Sequence, residues 1–152
     1  MKQIGKKELK EFIAIASEYG VELTKKDKIM KKDEFYLLNN EVIFFGYDGK
    51  ILPTLRTLYS HPESKSNLKK ITVDMGAVRF VVNGADIMRP GISTFDAGLR
   101  QDEAVLIIDE KNKKCLAIGA MNYSDHDMHN EKGGKAVKNL HYFGDNIFKN
   151  EI

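Results

Sequence analysis

The sequence predicts an α+β protein in two parts: a small α/β domain over residues 1–68, then an all-β barrel with short helices over 69–152. Three observations carry this. An amphipathic helical pattern and two hairpin signals crowd into the first sixty residues. Five or six short strand-like runs, separated by turn residues, fill the second half. Between them His61–Asn67, HPESKSN, is the only polar, strand-free stretch in mid-chain that contains a proline, and it marks the boundary. A chain of 152 residues, 42% hydrophobic, can fill one ordinary core or two small ones.

The elements of the first part follow in order. Lys6–Tyr19 reads as a helix, with Leu9, Phe12, Ile13, Ala16 and Tyr19 on one stripe and Lys7, Lys10, Glu11 and Glu18 opposite; Gly20 stops it. Lys25–Lys32, KKDKIMKK, is a lysine-rich stretch without a strand assignment. Glu34–Leu38 and Val42–Phe45 read as strands joined at Asn39-Asn40, a pair suited to a tight hairpin turn. Asp48-Gly49 marks a second turn before Ile51-Leu52. Pro53-Thr54 opens a short helix through Leu58. Phe44, Phe45 and Tyr47 are expected in the hairpin core.

In the second part, Ile71–Ile92, ITVDMGAVRFVVNGADIMRPGI, reads as strand, short helix, strand. Ile71 and Val73 alternate with polar neighbours, as in a half-buried strand. Ala77, Val78, Val81 and Val82 recur at helical spacing, with Asp74 as the cap. Asn83-Gly84 tolerates the left-handed backbone of a helix stop, and Arg89-Pro90-Gly91 makes a rigid turn. Val105–Ile108 and Leu116–Ile118 follow as strands flanking the polar loop Asp109–Lys114. Ser124 opens one helical turn through Met128, and Gly133-Gly134 is a flexible break before the last run, Ala136–Phe143.

Composition excludes several classes. No apolar run approaches the ~18 residues of a membrane span. The opening MKQIGKKELKE has charge but no following apolar stretch, so a secretory signal is not expected and a cytoplasmic location is. Cys115, the single cysteine, lies in an apolar run and reads as a buried, inert thiol. The formal net charge is +2, unevenly spread: fourteen Lys/Arg face ten Asp/Glu in residues 1–70, and ten face twelve in 71–152. That is a mild bias and not a polybasic arm. No hydrolase elbow, P-loop or dinucleotide fingerprint appears, and Gly76…Gly84 is spaced too widely to cradle a phosphate in either loop type, so no enzymatic activity and no cofactor are expected. Asp125-His126-Asp127-Met128-His129 places four potential metal ligands in five residues, with His126 and His129 on one face of a turn. With no cysteine nearby, the expectation is an exposed polar turn and no metal.

The ordered motifs Asp74, Gly76-Ala77, Val78–Val82, Gly84-Ala85-Asp86 and Pro90-Gly91-Ile92, with the strands that follow, resemble the PUA domain, a small RNA-binding pseudo-β-barrel of RNA-modifying enzymes and some translation factors. Leu52–Leu58, LPTLRTL, is similar to the end of the small pre-PUA domain in one branch, the malignant-T-cell-amplified-sequence/ligatin family of translation factors. The length resembles the archaeal stand-alone type. The resemblance implies that the Gly76–Gly91 unit faces RNA, often an acceptor-stem end, and points to Gly76, Ala77, Arg79, Gly84, Ala85, Met88 and Arg89. Small residues there let main-chain N–H groups reach phosphates or 2′-hydroxyls. Arg89, beside Pro90-Gly91, is the expected fixed guanidinium for a phosphate. Lys69 and Lys70 on the first barrel strand, and Lys135 and Lys138 on the last, are expected to flank the same groove. Of His141-Tyr142-Phe143, one aromatic is expected in the core, and an exposed aromatic or histidine there offers a surface on which a base can stack.

Two functions from different classes follow. One is a non-catalytic RNA-binding protein whose partners, by resemblance, are the tRNA acceptor end or small-subunit rRNA during initiation, reinitiation or recycling. The other is an adaptor whose N-terminal domain docks a translation factor or an RNA-modification enzyme, with RNA contact minor.

Overall fold

The computed structural model describes residues 1–61 and 68–152. Most of the polar stretch read as the boundary therefore lies outside the described residues. The chain divides into two compact units, Met1–Asn67 with Asn150–Ile152, and Leu68–Lys149.

The first unit is a five-stranded antiparallel sheet in sequential order, β1 (Lys2–Gln3), β2 (Ile29–Lys32), β3 (Phe35–Leu38), β4 (Glu41–Tyr47) and β5 (Lys50–Pro53). Helices α1 (Lys6–Glu18) and α2 (Leu55–Ser60) accompany it. Both hairpin turns have the left-handed backbone at their two central residues, with φ of 51° and 65° at Asn39 and Asn40, and 49° and 74° at Asp48 and Gly49. This twist matches that of the flanking strands. The core packs Phe12 of α1 against Tyr36 at 4.8 Å and edge-on to Phe44 at 5.3 Å, with Ala16, Val21 and Ile29 around them. Thr54 caps α2, accepting from Thr57 N at 3.3 Å, and both hydroxyls are buried on carbonyls of β4. The final residues pack on this unit: Val42 N donates to Asn150 Oδ1 at 2.8 Å, and Lys32 Nζ to Ile152 O at 2.9 Å.

Strands β1 and β2 were not expected. In β2 only Ile29 is buried, and Lys31 lies over the Tyr36 ring, 5.2 Å from its centroid, so the strand hides within a lysine-rich run.

The second unit is a curled six-stranded half-barrel. Its strands are β6 (Lys69–Val73), β7 (Ile87–Met88), β8 (Ile92–Phe95), β9 (Ala104–Asp109), β10 (Cys115–Met121) and β11 (Lys135–Tyr142), in the order β7-β11-β10-β9-β6-β8. Only β6 and β9 run parallel. Helices α3 (Val78–Val81) and α4 (Asp125–Asn130) and a 3-10 turn, Arg89–Gly91, complete it. The strand expected after α3 is two strands on opposite edges of the sheet. The three-residue turn between β7 and β8 therefore brings the two edges together. A second difference concerns β6: Thr72 is buried along with Ile71 and Val73, so this strand is covered on both faces and not alternately.

Asp109 ends β9 and organises the polar loop, its carboxylate accepting from Asn112 N and from Lys114 N at 3.0 Å. These backbone donors, Asn112 foremost, hold the carboxyl below its ordinary range against the opposing effect of burial.

Candidate nucleic-acid interface

Where β6 runs out, the chain builds a cleft of about 720 Å³. Asp74 N donates to Gly91 O at 2.9 Å, tying the strand end to the 3-10 turn. The Asp74 carboxylate accepts from Ala77 N at 2.9 Å and so fixes the turn that leads into α3; the N-cap position itself is Ala77, with no side-chain cap, so Asp74 acts one turn ahead of the capping role expected of it. A methyl group on Gly91 would meet the Ala77 Cβ at 3.3 Å; the turn and the helix approach this closely because both residues are small. After α3 the chain turns back at Gly84, φ +93°, and Asp86-Ile87-Met88 form the opposite wall.

The walls carry a mixed chemistry. Phe80, 53% exposed, and Met88, 45% exposed, present large apolar surfaces beside Pro90. Arg79 lies over the Phe80 ring, its guanidinium 4.8 Å from the centroid. Two carboxylates, Asp74 and Asp86, and one ammonium, Lys135, line the same space. Asp86 Oδ2 lies 3.5 Å from Lys135 Nζ, and Oδ1 accepts from Asn139 N at 2.9 Å. A cleft with two carboxylates is poorly suited to a row of phosphates. It is well suited to a flat apolar ring with amino or hydroxyl donors at its edge, as a nucleoside presents.

Of the residues singled out from sequence, Gly76, Ala77, Ala85, Met88 and Lys135 line the cleft. Arg79 is on its rim through the Phe80 contact. Gly84 is beside it, and its role is steric: a Cβ there would come within 2.9 Å of the Tyr142 ring. Lys69, Lys70 and Lys138 are not among the lining residues. Lys69 belongs to the end of β6 remote from Asp74, where its ammonium donates to Gly98 O at 2.8 Å and pairs with Glu103 at 3.3 Å. The backbone of Lys70 is tied to Asp96, and Lys138 is exposed on β11. The expectation of one groove flanked by all four lysines is thus reduced to Lys135.

Arg89 is also placed differently from expectation. Its Nε donates to Met128 O at 2.8 Å and Nη1 to Ile92 O at 3.3 Å, with the guanidinium 5.4 Å from the Phe95 ring centroid. These bonds staple α4 and β8 to the 3-10 turn. The guanidinium is engaged on carbonyls of its own chain, because a long-range contact invisible in the sequence brings α4 beside it. His141 is fully buried and hydrogen-bonded to Asp145 at 2.8 Å, so it offers no face to a base. Phe143 packs on Phe148 at 4.5 Å, and Tyr142 lies against the core and beneath Gly84.

The Asp125–His129 run is likewise engaged locally. Asp125 Oδ2 accepts from Gly98 N at 2.6 Å, His129 lies against Phe95 with centroids 5.1 Å apart, and Met128 is core. Among the described residues no group of three or more His, Cys, Asp or Glu side chains is arranged to hold a metal ion. Cys115 is half-buried, and burial pushes its thiol up despite the nearby Lys70 charge.

Two site residues were missed. Phe80 was read with the apolar helical run, yet the stripe at 77, 78, 81 and 82 leaves position 80 off the buried face. An apolar residue in that register was the available signal. Asn139 had no signal: its Nδ2 donates to Val81 O and to Ala85 O, each at 3.0 Å, clamping the end of α3 and the loop into Asp86 from β11.

The whole cleft, Asp74 to Lys135, lies within residues 69–143, which match the model of the PUA domain. Residues 3–61 match a domain of unknown function, DUF1947. An uncharacterised protein of Methanocaldococcus jannaschii is 40% identical over 115 residues, 76% of this chain and 69% of that relative. Translation machinery-associated protein 20 of Eremothecium gossypii is 35% identical, over 78% of this chain and 67% of its own length. Malignant T-cell-amplified sequence 1 of Danio rerio is 34% identical, over 76% and 64%. The chain belongs to this family of PUA-domain proteins. Among solved structures, a hypothetical protein of Pyrococcus horikoshii superimposes with a TM-score of 0.75 at 32% identity, covering 97% of this chain and 96% of that one. An H/ACA ribonucleoprotein structure with a bound substrate RNA aligns with a TM-score of 0.50 and 26% identity over 64% of this chain and 28% of that one. The PUA match and the pre-PUA match together assign both units to the architecture that the sequence resemblance implied.

Proposed function

We propose that this PUA-family protein is a non-catalytic RNA-binding protein of translation, and that its cleft receives an unpaired nucleotide of structured RNA, at the tRNA acceptor end or in small-subunit rRNA. The step it serves is initiation, reinitiation or recycling, in the cytoplasm. The observation that carries the reading is the exposed Phe80 ring beside Met88 in a cleft that also holds Asp74, Asp86 and Lys135. The ring gives a base a stacking surface, the carboxylates accept from exocyclic amines or ribose hydroxyls, and Lys135 supplies a cation for the adjoining phosphate. The family names, translation machinery-associated protein among them, support the setting.

The test is fluorescence anisotropy with a labelled hairpin RNA carrying a single-stranded 3′ tail, against the same hairpin with a blunt end. The expected result is clear preference for the tailed RNA and loss of that preference in Phe80→Ala. Equal binding of both RNAs, unaffected by Phe80→Ala, overturns the reading.

A further inference from the structure

We infer that the first unit carries a docking groove for an acidic amphipathic segment of a partner protein. The proposal stands on residues that the RNA reading does not use. Between α1 and the Leu23–Lys25 segment lies a groove of about 720 Å³. Its floor is aliphatic: Leu9 and Ile13 from α1 and Leu23 from across the groove, all half-buried. Leu9 and Leu23 already pack on the core of the unit, so the floor is a fixed surface. Its rim is cationic. Lys6, Lys7 and Lys10 rise from α1 and Lys25 faces them, all exposed. Among the described residues no carboxylate lines the groove. The ion pair that α1 makes uses Glu8 with Lys31, at 4.0 Å, and no ion pair among the described residues uses these four lysines.

Charge complementarity selects an acidic occupant, and the floor selects its kind. A run of phosphates would satisfy the ammonium groups but leave three aliphatic side chains in water, and among the described residues no aromatic ring lines the groove on which a base could stack. A helix with leucines at i, i+3/i+4 and i+7 and glutamates along its flanks satisfies both. Its apolar stripe covers the floor, and its carboxylates meet lysines whose alkyl stems extend the apolar surface. The sequence pattern alone showed Lys7 and Lys10 as a solvated face; the fold turns them into the edge of a groove by placing Leu23 and Lys25 opposite.

The experiment uses the full chain, isotopically labelled, and a synthetic amphipathic peptide with Leu at those positions and Glu flanking. NMR titration is expected to move the amide signals of Leu9, Ile13 and Leu23. The Lys7→Glu/Lys10→Glu variant, changed only at exposed positions, is expected to weaken binding at least tenfold with an unchanged thermal transition. The same peptide with Lys in place of Glu is expected not to bind. Absence of shifts at millimolar peptide overturns the proposal, as does equal binding by the charge-reversed variant. A single-stranded oligouridylate that moves the same signals at lower concentration than the peptide overturns it too, by making the groove a nucleic-acid site.

Discussion

Replacing Phe80 with alanine removes a large exposed apolar surface of the cleft without removing a charged group. The ring is 53% exposed and outside the buried core, so folding should change by no more than ~0.5 kcal/mol. Stacking of one base on an aromatic side chain is worth ~1–3 kcal/mol by alanine substitution. At ~1.4 kcal/mol per tenfold, affinity for a single-stranded 3′ end should fall about 5- to 150-fold. The salt dependence should stay where it was. Lys135 is the cation among the residues that line the cleft, and each phosphate neutralised on a single strand contributes about −0.7 to the slope of log K against log salt. A slope of about −0.7 is therefore expected in the parent protein and in Phe80→Ala alike. Lys135→Gln should act conversely, lowering the slope by about 0.7 while sparing the stacking contribution. Anisotropy titrations at four salt concentrations measure both quantities. Binding by Phe80→Ala within twofold of the parent, with an unchanged thermal transition, would refute the assignment of the ring to base stacking.

Gly84→Ala should destabilise the second unit by about 1–2 kcal/mol from the left-handed backbone alone, and more from the approach to Tyr142, with RNA affinity falling only in step with the unfolded fraction in urea titrations. Asn139→Ala removes two hydrogen bonds and leaves the Val81 and Ala85 carbonyls without their partner, an expected loss of about 1–3 kcal/mol in denaturant unfolding. Its RNA affinity should fall further than stability explains, because the end of α3 and the Ala85 loop lose their tether, while Asn139 N still holds Asp86. Burial raises the carboxyl of Asp145, but hydrogen bonds from His141, Phe148 N and Tyr142 N outweigh it and leave the group below its ordinary range. A lowered folded value contributes stability above the unfolded value of ~3.9 and loses it as pH falls through the folded one, so Asp145→Asn should flatten the decline in stability below about pH 4.

The parts of the fold legible in the sequence are those fixed by neighbouring residues. Asn39-Asn40 and Asp48-Gly49 were readable as turns because a two-residue hairpin demands left-handed backbone at both positions, and these residue types adopt it. Thr54 and Ser124 were readable as helix starts for a similar local reason. What escaped was set by distant pairing. The chain after α3 shows one strand's worth of apolar residues, and nothing in their period says that Ile87-Met88 joins β11 while Ile92 joins β6. Arg89 beside Pro90-Gly91 looked like a cation offered to a ligand; the carbonyl of Met128, 39 residues on, takes it instead. The cleft falls largely within the stretch that the sequence marked, Gly76 to Gly91, but its chemistry was not legible. Small residues suggested backbone contacts to phosphates, whereas the fold assembles an aromatic, a methionine and two carboxylates there.

That chemistry bears on how a weakly charged barrel can hold RNA at all. Residues 71–152 carry ten basic and twelve acidic side chains, so no broad positive field draws a polyanion to this unit. Affinity must then come from contacts that need little rearrangement on binding. The cleft meets this condition through its anchoring. One wall is α3 with the turn that leads into it, the other is the loop into β7 at the sheet edge, and the three-residue turn Arg89–Gly91 lines the space with them. Arg89 ties that turn to α4 and β8, Asp74 ties it to β6 and α3, and Asn139 ties α3 to the Asp86 wall. Each wall is thus bonded to elements outside itself, and these bonds set the spacing between α3 and the Asp86 wall. On the proposed RNA reading, Arg89 would serve by holding the shape of the cleft, and the contacts themselves would fall to Phe80, Met88, Asp86 and Lys135.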